Sequence, residues 1–347
     1  MGKNQLYDST VDILRTIAIF AVVLIHTTTR TLEASSLKIQ EVPWALFLNQ
    51  TGRFAVPLFF MISGYVLELN FKIHESYFSY LKKRISRILI PYICWSGIYY
   101  FFVYTKHTEN YFQALLGGDA SYQLYFIPAL LIFYLVFPLI HDFHKFIGSK
   151  WITICFVIIE LSLLYQDYYL TPIKIFYPIK VALFNYFVFY FGVVLANNKE
   201  NIVTLTKKWK YLLFLTSVFL GIYVFYEGFN RFLITHNYLT FYSQWRPSIL
   251  IYTISITGFL YWCFNRNTKY VSIIKTLSKL SFFVFFIHVI VLEVIWYVFL
   301  KNVFQLTHNQ ICQNIWYDPL YFLAVTIISF TFAFLIHKLP YISKVTG

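Results

Sequence analysis

Apolar residues fall along this chain in long runs separated by short polar connections. Runs long enough to cross a bilayer lie near residues 11–29, 54–70, 88–105, 122–140, 151–166, 180–197, 211–227, 247–264, 280–300 and 318–337. A helix of about 20 apolar residues spans the hydrocarbon layer, so each run predicts one transmembrane helix. The fifth run is the shortest and carries Glu160. The expected fold is therefore all-α and integral to the membrane, with about ten transmembrane helices.

The charges between the runs give that fold a direction. The terminal segments and the connections after the second, fourth, sixth and eighth runs hold eighteen Lys and Arg, the other connections nine, and Arg15 lies inside a run. Positive charge gathers on the cytoplasmic side of membrane proteins, which predicts that both N and C termini are cytoplasmic. A missed span would scramble the alternation, so the bias also predicts an even count. Every connection is short, so residues 1–347 read as a single transmembrane domain with no soluble domain.

Composition agrees with this picture. Hydrophobic residues make up 59% of the chain and charged residues only 12%, about half the charge that a water-facing surface carries. Mean hydropathy is +0.62. A net charge of +13 is compatible with nucleic-acid binding, but its distribution is explained by topology and contact with membrane lipid, and no nucleic-acid partner is expected. Cys94, Cys155, Cys263 and Cys312 are scattered with no CxxC spacing, so neither a disulfide framework nor a metal site is expected. The first run follows Asp8 and Asp12 and ends in His26-Thr27-Thr28-Thr29-Arg30. That is not a small-residue cleavage site, so the run reads as a retained helix.

Candidate chemistry begins in that first run. Arg15 and His26 are eleven residues apart. At 100° per residue they return to within roughly 20° of one another, roughly 16 Å apart along the axis. One helix face would carry a fixed cation towards the cytoplasm and a titratable base in the outer half. Arg15 also suits a topology anchor that snorkels to the interface, and His26 a hydrogen-bonded packing residue. Ionisable groups inside a membrane tend to mark functional cavities, which favours reading the two together.

Further candidates follow in order. Arg53 enters the second run near the depth of His26. Ser63-Gly64 suits close helix packing or a hydroxyl bond across helices. Arg84 and Arg87, at i and i+3, share a helix face and suit either a phosphate group or anionic lipid headgroups. Tyr125 and Phe126, in the stretch Tyr122 to Pro128, suit an acceptor site for a polar molecule or an interfacial aromatic belt. His288 lies near mid-depth in the ninth run. Glu293 follows on a different face and is not paired with it. Glu68, Glu160 and Glu227 are intramembrane acids without an assignment.

At these residues the chain resembles the acyltransferase 3 family of membrane acyltransferases. The resemblance rests on Asp12-Ile-Leu-Arg15 followed by ten residues and His26, on Phe54 to Tyr65 with Pro57-Leu-Phe-Phe and Ser63-Gly64, on Arg84-x-x-Arg87 with Pro91-Tyr92, on Tyr125-Phe126, and on the run from Ser281-Phe282 to His288. Tyr125 stands where many members have Trp, and the fused hydrolase-like domain of some members has no counterpart. The resemblance implies transfer of an acyl group, usually acetyl from acetyl-CoA, to a hydroxyl of a cell-surface carbohydrate or lipid-linked glycan. It implies that His26 is the catalytic histidine and that Arg15, Arg84 and Arg87 serve the donor. Acyl-CoA is then a co-substrate at the cell membrane, and no metal is involved. A base must be uncharged when the hydroxyl arrives, and burial disfavours charged imidazole. A route through an acyl-histidine is equally open. Arg53 is a candidate oxyanion donor.

Two other readings compete. A transporter or flippase for glycan or lipid intermediates would also have ten spans and a basic cytoplasmic side, although no inverted repeat stands out. A purely structural scaffold leaves Arg15 and His26 unexplained.

Overall fold

The computed structural model describes residues 9–35, 43–72, 76–104, 109–147, 149–235, 239–264, 271–303, 305 and 314–338. The regular elements among them are all helical. In chain order they are α1 (Ser9–Ser35), α2 (Pro43–Thr51), α3 (Ala55–Asn70), α4 (Tyr77–Ile98), α5 (Tyr111–Gly117), α6 (Phe126–Ile147), α7 (Ser149–Tyr165), α8 (Tyr177–Leu183), α9 (Tyr186–Asn197), α10 (Lys199–Lys208), α11 (Lys210–Thr235), α12 (Leu239–Tyr242), α13 (Pro247–Phe264), α14 (Val271–Val294) and α15 (Tyr317–His337). Turns of π-helix extend α4, α7 and α14 over Tyr99–Val103, Gln166–Leu170 and Ile295–Val303.

Each predicted run lies on these helices. Among the described residues, eight stretches are individually long and apolar enough to cross a membrane, and α8 with α9, bent by 44°, makes a ninth if taken as one span. The remaining run falls on α4, whose first half carries Lys82, Lys83, Arg84 and Arg87 and dilutes its apolarity. The second span begins earlier than the pattern predicts, because α2 and α3 join through a turn into one passage, Pro43–Asn70. Cys312 and both chain termini lie outside the described residues.

The helices form two compact units, one of Pro57–Leu205 and one combining Ser9–Val56 with Thr206–Lys338. The Pro57–Leu205 unit is held by aromatic rings and by direct backbone contact. Phe133 stacks on Phe189 with ring centres 4.4 Å apart. A Cβ on Gly64 would sit 2.1 Å from the Phe189 carbonyl oxygen, and one on Gly192 would sit 2.0 Å from that of Met61. Only glycine lets α3 and α9 approach this closely. Gly64→Ala is expected to lower stability by at least the roughly 1–3 kcal/mol of an overpacked core. Thermal unfolding of purified protein in detergent measures this, and an unchanged midpoint would refute the contact.

The acids of this unit are placed by the same fold. Glu160 on α7 accepts the Phe187 N–H at 2.6 Å. That donor lies in the first turn of α9, whose N-cap residue Asn185 makes no side-chain cap. The buried carboxylate thus caps a neighbouring helix. Glu68 meets the His141 Nδ1 at 2.8 Å and accepts from the Asn197 amide at 3.0 Å.

The second unit is built around α1, which packs against α2, α13, α14 and α15. Ala18, Ile19 and Val23 on α1 are fully buried.

Candidate active site

α1 and α14 run parallel and meet in three rungs. At the first, Arg15 Nη1 donates to Ser278 Oγ at 3.3 Å, and Ser278 Oγ donates to Asp12 Oδ1 at 2.6 Å. Asp12 Oδ1 also lies 3.6 Å from Arg15 Nη1. At the second, the His26 and His288 rings stand 5.2 Å apart, centre to centre, with planes inclined by 33°. At the third, Arg30 forms an ion pair with Glu293 and another with Glu33. Residue numbers rise together on both helices, which defines the parallel direction. The face that the spacing assigns to Arg15 and His26 is therefore the face that α1 turns to α14. His288 and Glu293 are not paired with each other, as expected, and each has a different partner on α1.

His26 is partly exposed, whereas His288 is fully buried. The Nδ1 of His288 lies 2.9 Å from the Val284 carbonyl. A carbonyl only accepts, so Nδ1 carries the hydrogen. In the uncharged ring the lone pair is then on Nε2, which is buried and has no hydrogen-bond partner among the described residues.

A second polar layer braces the other side of α1. Asn49 on α2 donates to the Ile25 carbonyl at 3.0 Å and to the Thr28 and Thr29 hydroxyls at 3.1 Å, bracketing His26. Arg53 Nε donates to Asn49 Oδ1 at 3.1 Å and its Nη1 to the Tyr242 carbonyl at 2.7 Å. Gln50 donates to the Phe241 carbonyl at 2.9 Å and accepts from Arg246. Arg246 also donates to the Val224 carbonyl at 3.1 Å and to Glu227 at 3.2 Å, and Glu227 accepts from Ser248. Asn49, Gln50 and Arg246 are fully buried.

Gly52 makes this geometry feasible. A Cβ there would stand 3.0 Å from Ile25 Cγ1 and 3.2 Å from the Ala21 carbonyl, so the α2–α3 turn presses directly on α1. Arg53 follows that turn, and both it and Arg30 lie within electrostatic reach of His26.

The structure brings together Arg15, His26, Arg53 and His288 in one unit. Ser63, Arg84, Arg87, Tyr125 and Phe126 belong to the Pro57–Leu205 unit. Ser63 Oγ donates to its own helix, at the Phe59 carbonyl, 2.8 Å away, and the adjoining Gly64 serves helix packing. Arg84 is partly buried and Arg87 exposed, and no carboxylate among the described residues pairs with either. The Tyr125 ring lies 5.7 Å from that of Tyr177. Phe126 is buried, its ring 4.6 Å from Phe60.

Sequence reasoning missed Asn49, Gln50, Arg30 and Arg246. In the sequence, Arg30 and Arg246 stand out only among the nine charges of the less basic connections. The one available signal was the run Asn49-Gln50 just ahead of Gly52-Arg53, polar amides bordering an apolar segment.

Comparison with known proteins places the chain in a family. The sequence profile described as "Acyltransferase domain", that of the acyltransferase 3 family, matches residues 8–338. The chain belongs to that family. It is an acyltransferase with the helices of a multi-pass membrane protein. It is 24% identical over 295 residues to a probable poly-β-1,6-N-acetyl-D-glucosamine export protein of Staphylococcus aureus strain MRSA252, covering 81% of each chain. It is 22% identical over 311 residues to a protein of the same description from Staphylococcus epidermidis, covering 84% of this chain and 82% of that one. No solved structure matches.

Proposed function

We propose that this acyltransferase moves an acyl group, acetyl in the simplest case, from acyl-CoA to a hydroxyl of a cell-surface or lipid-linked carbohydrate. His26 is the base. It takes the hydroxyl proton as the oxygen attacks the thioester carbonyl. The C–O bond forms, the C–S bond breaks, and the proton passes to the departing thiolate. The observation that carries this reading is the α1–α14 face, where an anchored arginine and two imidazoles share one seam inside an apolar unit. Arg53, within electrostatic reach of His26, is the oxyanion donor of this scheme. The export names of the staphylococcal relatives support a polysaccharide acceptor. The family match spans both units, which supports one functional domain.

Arg84 and Arg87 take the donor. CoA is polyanionic, and guanidiniums that pair with no carboxylate among the described residues suit its phosphates. Arg84→Ala with Arg87→Ala is expected to raise the KM for acetyl-CoA about tenfold, the effect of losing roughly 1.4 kcal/mol of binding, and to leave the acceptor KM unchanged. An unchanged donor KM would leave these arginines as lipid anchors.

Topology supports the same orientation. Because α1 and α14 are parallel, an even number of passages precedes α14. With eight passages in all α14 is the seventh, and with ten it is the ninth. With nine it would run against α1. So α4 and the α8–α9 pair cross together or not at all. Both crossing gives ten spans, both termini in the cytoplasm and the basic connections inside, as befits the plasma membrane and a cytoplasmic donor.

A second reading, export of a polysaccharide, rests on the relatives' names. Purified protein in vesicles, given acetyl-CoA labelled in the acetyl group and β-1,6-linked N-acetylglucosamine oligomers, separates the two. Label moving onto the oligomer without a gradient supports transfer, and unmodified oligomer crossing the vesicle supports export.

A further inference from the structure

We propose that His288 is a positioning residue that sets the tautomer of His26. The inference rests on the reading of His26 as the base. The Val284 carbonyl holds the hydrogen of His288 on Nδ1, so Nε2 is a fixed acceptor. That acceptor is buried with no hydrogen-bond partner among the described residues, in a ring whose centre is 5.2 Å from that of His26. An in-plane N–H···N bond of about 3 Å between two imidazoles puts their centres slightly more than 5 Å apart. The spacing of α1 and α14 therefore already fits such a pairing. Once paired, one His26 nitrogen donates to His288 and the other turns its lone pair to the incoming hydroxyl. When His26 takes the substrate proton, the bond to His288 remains and the new N–H faces the thiolate that will receive it. The pairing adds no proton to the reaction and removes none.

Other parts of the molecule support this division of labour. Glu293, the acid nearest along α14, is taken by Arg30. Asp12 is taken by Arg15 and Ser278 one rung below. The carboxylates flanking the histidines thus have their own partners, and the neutral nitrogen of His288 is the acceptor presented beside His26.

The test has two arms. In the first, His288→Phe keeps a ring of similar bulk without an acceptor, and His288→Gln restores an oxygen acceptor near the Nε2 position. With labelled acetyl-CoA and β-1,6-linked N-acetylglucosamine oligomers, His288→Phe is expected to lower kcat about 10²-fold, of the order of a lost general base, with both KM values unchanged. His288→Gln is expected to recover at least tenfold of that. Full kcat in folded His288→Phe, or equal loss in the two variants, overturns the proposal.

The second arm needs no substrate. In ring-nitrogen-labelled protein in lipid, the His26 signals, identified by their absence in His26→Ala, are expected to show one tautomer coupled across the hydrogen bond to His288. Mixed His26 tautomers in the unaltered protein overturn the proposal, even if the 288 variants do not fold. If His26→Ala retains transfer, the reading of the reaction fails, while the tautomer measurement still decides the pairing.

Discussion

His26→Ala is expected to abolish acyl transfer while the protein remains folded and inserted. Loss of a general base slows such reactions by typically about 10²–10⁴-fold, and His26→Ala removes the imidazole that carries the proton from hydroxyl to thiolate in this scheme. The fold is expected to tolerate the change. Alanine is the best helix former, and α1 keeps the Arg15–Ser278 and Arg30–Glu293 contacts on either side, together with the Asn49 bonds to Ile25, Thr28 and Thr29. Transfer of labelled acetyl groups in membrane vesicles, beside circular dichroism of the purified variant, makes the comparison. Near-normal transfer by the folded variant would refute the assigned role.

The second large effect is on stability. Arg246→Ala leaves Glu227 buried without its guanidinium and strips a donor from Gln50 and from the Val224 carbonyl. Removing one partner of a buried ion pair typically costs about 3–5 kcal/mol, because the remaining charge is uncompensated. The midpoint of thermal unfolding should fall steeply. Combining Arg246→Met with Glu227→Leu should recover most of the loss, since two apolar side chains leave no orphan charge. A single variant that unfolds at the native temperature would show that Arg246 contributes nothing to holding α2 against α11 and α13. The chain from Arg246 through Gln50 and Asn49 also ends beside His26, so residual transfer per folded molecule should fall in Arg246→Ala.

Much of the site was legible because helical spacing is local. Eleven residues return a helix to nearly the same azimuth, so Arg15 and His26 could be placed on one face from their numbers. The same arithmetic set His288 and Glu293 on different faces of α14. It could not say that the first meets His26 and the second Arg30. Glu160 shows the same limit: an acid in an apolar run is visible, but its use as the cap of α9 depends on which helix lies alongside.

The apolar runs, the helical fold and the face carrying Arg15 and His26 follow from periodicity and from the high cost of exposing backbone and charge to lipid, both of which act along one segment at a time. Which helices touch is a different kind of quantity. It depends on side chains far apart in the chain, such as Asn49 with Ile25 or Gln50 with Arg246, each fitting one shared space. The parallel seam of α1 and α14, the pairing of the two histidines and the polar brace behind them came from that packing, because complementary shape and hydrogen bonding between remote residues leave no period in the order of amino acids.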